Sequence, residues 1–100
     1  MTPEEAQARL EKCREDIDAI DLHILELLNE RAKIVDVIGW VKRTMALPIY
    51  EPKREDAVFR NVLEGNHGPL SPGAVRRLFE RVIDEMRTLQ RERMEQENSK

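Results

Sequence analysis

Along the first 45 residues, apolar side chains recur at alternating steps of three and four. Leu10, Cys13, Ile17, Ile20, Ile24, Leu27, Ile34, Ile38 and Val41 make up the series, with Leu28 and Val35 beside it. That spacing lines one side of a continuous α-helix. Neither Gly nor Pro interrupts the run between Pro3 and Gly39, and it is rich in Leu, Glu, Ala, Arg and Lys, all strong helix formers. Its start is marked by a Thr2 hydroxyl cap, by Pro3 at the first helical position and by Glu5 completing a capping box. The helix is expected to end at Arg43 or Thr44, because Pro48 forbids continuation. At 1.5 Å rise per residue it is roughly 60 Å long, about twice the diameter of a small domain. One hundred residues cannot cover such a stripe, so a second copy of the chain is expected to do so.

The rest of the chain predicts two shorter helices. Met45 to Tyr50 reads as a short apolar connector, expected to pack down. A second helix starts near Pro52, shows Phe59, Val62 and Leu63 as its apolar face, and stops at Gly65. Residues 65–70 form a turn by composition. Ser71 and Pro72 then restart the chain as cap and first helical residue. Val75, Leu78, Phe79, Val82, Ile83, Met86, Leu89 and Gln90 fall on one face of this third helix. From Arg91 the apolar signal vanishes, so a domain over 1–90 is expected to be followed by a frayed helix end or linker over 91–100. The fold class is all-α: one long helix and two short ones, in an intertwined helical homodimer.

Composition narrows the function. Charged residues make up 37% of the chain and aromatic residues 4%, with net charge −3, so the general basic footprint of a nucleic-acid or anionic-membrane binder is missing. No apolar run approaches 18 residues, so no membrane span is expected. The first residues carry no basic and apolar leader pattern. The single cysteine, Cys13, sits in the stripe and reads as a reduced, buried thiol of a cytoplasmic protein.

The anomaly lies in the stripe itself. Arg31 occupies a position where the pattern calls for Leu, with Arg14 and Lys42 also beside the seam. A buried guanidinium without an anion costs several kcal/mol, so Arg31 needs a partner, either an acid such as Glu55 or Asp21 or a bound anion. Lys42 either snorkels to water or faces the same anion. The two are eleven residues apart, about 16 Å along a helix, close enough for long side chains to straddle a small molecule. Arg14 lies about 25 Å from Arg31 by the same rise. Antiparallel pairing of two long helices near Ile24 and Leu25 would bring it level with the partner's Arg31–Lys42 interval. A two-fold dimer then makes two composite sites.

Glu51, Arg54 and Glu55 stand at the start of the second helix, either as a solvated helix start that suits the dipole or as part of that site. Gln90 ends the apolar face of the third helix, as a satisfied amide or as a neutral donor to a ligand. His23 and His67 fall off the apolar faces and are expected in solvent. The inventory contains no Ser/His/Asp group, no thiolate nucleophile and no metal-ligand cluster. It fits a small dianion with a hydroxyl, handled by electrostatics and positioning without metal or cofactor.

Four stretches carry a family resemblance: Cys13 to Asp21 (CREDIDAID), Leu27 to Arg31 (LLNER), Ile38 to Lys42 (IGWVK) and Pro48 to Glu55 (PIYEPKRE), with Gln90 in register. Together they resemble the all-helical (AroQ-class) chorismate mutases over about Leu10 to Gln90. The resemblance is nearest to free-standing forms and to domains fused to the first shikimate-pathway enzyme. It implies that Arg31, with Arg14 from the partner subunit, binds the two carboxylates of chorismate. Lys42 and Gln90 would face the ether oxygen whose C–O bond breaks on the way to prephenate. Glu55, helped by backbone near Glu51, would hold the ring hydroxyl, and Arg54 would stand at the carboxylate rim. Met86 occupies a position where some relatives have Ser, so one hydroxyl contact to a carboxylate is missing. Two other functions fit the same residues: an isochorismate-pyruvate lyase, and a regulatory or docking module for a shikimate-pathway enzyme.

Overall fold

The computed structural model describes residues 1–99 and contains three helices, α1 (Pro3–Thr44), α2 (Pro52–Gly65) and α3 (Pro72–Asn98), with no strand among the described residues. The start signals act as the sequence predicts. Thr2 Oγ1 accepts from the Glu5 amide at 3.1 Å and Glu5 Oε2 accepts from the Thr2 amide at 3.4 Å, which closes a reciprocal capping box. Ser71 Oγ accepts from the Ala74 amide at 3.1 Å, with Pro72 in the first turn. Between α2 and α3, Asn66 braces the turn by accepting from the Gly68 amide and donating to the Leu70 carbonyl. Gly68 sits at φ 82°, where a side chain would be strained.

The end of α1 carries a device with no glycine signature. The Leu47 amide donates to the Lys42 carbonyl at 2.7 Å and the Ala46 amide to the Arg43 carbonyl at 3.3 Å, the paired bonds of a Schellman cap. Ala46 holds the left-handed position at φ 56°, which Gly ordinarily occupies.

The chain divides into two compact units, Met1–Lys33 and the segment from Ile34 onward. The first contains only α1 residues and the two that precede them. Its apolar stripe is open: Ile17 is 55% exposed, Ile20 57% and Ile24 48%. Cys13 is likewise exposed, where a buried thiol was expected, because a single helix has nothing of its own to lay over one side.

The second unit has a small core of Val35, Val58, Val75 and Ile83. In α2 the buried side chain is Val58, while the predicted Phe59, Val62 and Leu63 are half-buried. In α3, Leu78 is exposed. The connector is not packed down as its composition predicts. Met45, Leu47 and Tyr50 are exposed and only Ile49 is half-buried, because the segment is held by its backbone bonds rather than by its side chains. The apolar pattern stops at Gln90, but α3 continues to Asn98. Ion pairs hold the added turns: Arg93 Nε lies 3.1 Å from Asp36 Oδ1, and Arg43 Nη2 donates to Glu97 Oε1 at 2.8 Å. None of the helices, among the described residues, is long and apolar enough to cross a membrane.

Candidate active site

Lys42 and Gln90 are the two buried polar side chains among the described residues, 8% and 7% exposed. The Schellman cap explains how Lys42 is accommodated. By reversing the chain just after α1, it brings the connector back over the last helical turns. Lys42 Nζ then donates to the Ile49 carbonyl at 2.9 Å and lies 2.6 Å from Glu51 Oε1. A buried ammonium lacking such partners would cost several kcal/mol. Glu51 stands at the N-cap of α2 but makes no side-chain cap bond, its carboxylate being turned to Lys42 instead. Both expectations for Lys42 are thereby narrowed: it does not snorkel to water.

Gln90 packs beside Gly39: a Cβ built on Gly39 would stand 3.6 Å from Gln90 Cγ, an ordinary packing distance, and 3.1 Å from the movable tip of Arg43. The ion pairs at Asp36 and Arg43 flank this contact.

Glu55, in the first turn of α2, is half-buried and paired with a residue that no sequence pattern singled out. Arg87 Nη2 donates to Glu55 Oε1 at 3.1 Å and to Asp84 Oδ1 at 3.2 Å, and its guanidinium lies 5.4 Å from the Tyr50 ring centre. The Asp84–Arg87 spacing is legible as a helical pair, but the bond to Glu55 spans 32 residues and left no periodic trace. Beside this pair an open groove between α2 and α3 is lined by Glu55, Phe59, Glu80, Ile83, Asp84 and Arg87. Three carboxylates against one guanidinium make that groove acidic, which suits a hydroxyl donor and not a carboxylate.

Arg54 is exposed and Met86 half-buried. On the first unit, Arg14 is exposed and Arg31 half-buried. The structure thus joins Lys42 with Glu51, and Glu55 with Arg87. His23, 68% exposed at its side chain, stands 3.6 Å from Glu26, and His67 is exposed, as predicted for both.

This arrangement of helices has close counterparts. The chain belongs to the chorismate mutase type II family, whose sequence profile matches residues 13–91. It is 46% identical over 78 residues to the bifunctional chorismate mutase/prephenate dehydratase of Neisseria gonorrhoeae, an alignment covering 78% of this chain and 21% of that protein. A chorismate mutase of Methanocaldococcus jannaschii is 26% identical over 95 residues, covering 92% of this chain and 94% of the other. Among solved structures, form II of the chorismate mutase from Thermus thermophilus superposes with a TM-score of 0.81 at 31% identity, covering 83% of this chain and 94% of that one. The chain spans about a fifth of the length of the bifunctional relatives it matches.

Proposed function

We propose that this chain catalyses the one-step rearrangement of chorismate to prephenate, in the biosynthesis of phenylalanine and tyrosine. The observation that carries the proposal is the burial of Lys42 and Gln90, the two groups that the family resemblance assigns to the ether oxygen. During the reaction that C–O bond breaks while a C–C bond forms within the same molecule, and negative charge builds on the oxygen. No proton has to be relayed. An ammonium and an amide held at the oxygen stabilise the developing charge, and preorganised donors of this kind contribute about 3–4 kcal/mol each. Folding the substrate into its compact, chair-like conformer can supply up to about 7–11 kcal/mol more.

In this proposal Arg31 and Arg14 of the partner subunit take the two carboxylates. Glu55 and backbone near Glu51 hold the ring hydroxyl, Arg54 stands at the rim, and Met86 leaves one hydroxyl contact unmade. A homodimer is required, because Arg14 comes from the second copy. The open stripe on Met1–Lys33 supports it, since a second copy offers the same stripe in return. The lone Cys13, without a partner thiol in the chain, fits the reducing cytosol. Similarity to bifunctional mutase/dehydratase proteins supports action alongside a second enzyme of the pathway, fused or bound. Relatives that bear the mutase name favour the rearrangement over pyruvate elimination from isochorismate.

The test is a spectrophotometric assay of the purified chain with chorismate and isochorismate in parallel. Conversion of chorismate to prephenate is expected, with kcat flat from mildly acidic to mildly basic pH because Gln90 is a neutral amide. Preferential loss of pyruvate from isochorismate would establish the lyase. Failure with both, together with tight binding to a pathway enzyme, would establish the docking module.

A further inference from the structure

We propose that Arg87 is a positioning residue for this reaction, fixing the Glu55 carboxylate so that it can receive the ring hydroxyl of the substrate. The inference rests on the mutase activity proposed above and goes beyond it, since Arg87 belongs to none of the residues that the resemblance brought in. Glu55 must present a carboxylate oxygen to a hydroxyl in one orientation, yet a Glu side chain has three rotatable bonds and considerable freedom to lose. Arg87 removes that freedom from across the helix pair, with Nη2 at 3.1 Å from Oε1. The pair is partly withdrawn from solvent, 27% and 20% exposed at the two side chains, so it is screened less than a surface ion pair.

Arg87 is in turn fixed from two further directions. Asp84, one helical turn earlier, accepts from the same Nη2, and the Tyr50 ring lies against the guanidinium. Tyr50 immediately precedes Glu51, the partner of Lys42. One guanidinium therefore braces both flanks of the segment from Tyr50 to Glu55. A carboxylate offers about four lone-pair sites, so accepting from Arg87 leaves Glu55 able to accept from a hydroxyl as well.

The experiment is a cycle between protein and substrate. Wild type, Arg87→Gln and Arg87→Lys are each assayed with chorismate and with an analogue lacking the ring hydroxyl, and folding is followed by thermal melting. In the wild type, removing the hydroxyl should lower kcat/KM by about tenfold to a hundredfold, the range for a hydrogen bond to a charged group. In Arg87→Gln that penalty should shrink to about twofold, with the loss on chorismate itself read chiefly in kcat/KM, and Arg87→Lys should recover part of it. An unchanged hydroxyl penalty in Arg87→Gln would overturn the positioning role while leaving the mutase intact, even if the variant were less stable. Should Arg87→Gln fail to fold, Arg87→Met carries the same comparison, and a wild-type hydroxyl penalty there would overturn the role. A wild type that converts no chorismate would overturn the underlying activity, and this role with it.

Discussion

Two faces of α1 with the same three-and-four spacing meet different fates. From Ile34 onward, Val35, Gly39 and Lys42 of α1 are buried, Gly39 against Gln90 of α3 and Lys42 beneath its own connector. The stripe of Ile17, Ile20 and Ile24 is about half exposed and stays exposed through Ile34, Ile38 and Val41, because the buried residues lie one position round the helix from it. Periodicity states that a face is to be covered, and it is silent on whether the cover comes from the same chain or another. A contiguous apolar face of this length is uncommon on a monomer. The open face therefore reports on assembly, and the buried one on chemistry.

The largest expected effect comes from charging the open stripe. Ile24→Glu lies at the proposed two-fold centre, so each dimer would bury two carboxylates there. At several kcal/mol per buried ion and 1.4 kcal/mol per tenfold, the dimer dissociation constant should rise by about ten thousandfold or more. Sedimentation should show monomers, and mutase turnover should vanish with the loss of Arg14 from the partner subunit. A dimeric, active Ile24→Glu protein would show that the stripe serves something else.

The second effect tests the buried ammonium. Lys42→Ala should lower kcat by about a hundredfold to a thousandfold, as for removal of an oxyanion donor. The melting temperature should move far less, because Glu51 is half exposed and can return its carboxylate to water. Wild-type kcat in Lys42→Ala would remove Lys42 from the reaction.

What was legible in the residues follows from how local each signal is. The capping box at Thr2, the Ser71 cap, the prolines at first turns and the glycine stop were readable because their partners stand within about four positions. Lys42 and Gln90 were readable as polar intrusions on apolar faces. The continuation of α3 to Asn98 was not, since it depends on Arg93 and Glu97 meeting Asp36 and Arg43 more than fifty residues away. Arg87 escaped for the same reason, its link to Glu55 being across the helix pair. The fate of the connector escaped for another: its side chains are apolar, but its backbone holds it.

That backbone is the subject of the smallest expected effect. The Schellman cap delivers the Ile49 carbonyl and Glu51 to Lys42, yet its left-handed position is filled by Ala46 at φ 56°. A Cβ in that conformation costs roughly 1–2 kcal/mol relative to the right-handed region, and Gly is free of the cost. Against this, Gly gives the unfolded chain more entropy to lose. Ala46→Gly should therefore stabilise the protein by about 0.5–1 kcal/mol, raising the denaturation midpoint without changing the slope. Because the cap geometry is unchanged, kcat should stay within about twofold, a shift of less than half a kcal/mol in the barrier. A lowered midpoint would mean that the turn is held by contacts of the Ala46 methyl rather than by the Leu47 and Ala46 amides. The route by which Glu51 reaches Lys42 would then need a different physical account.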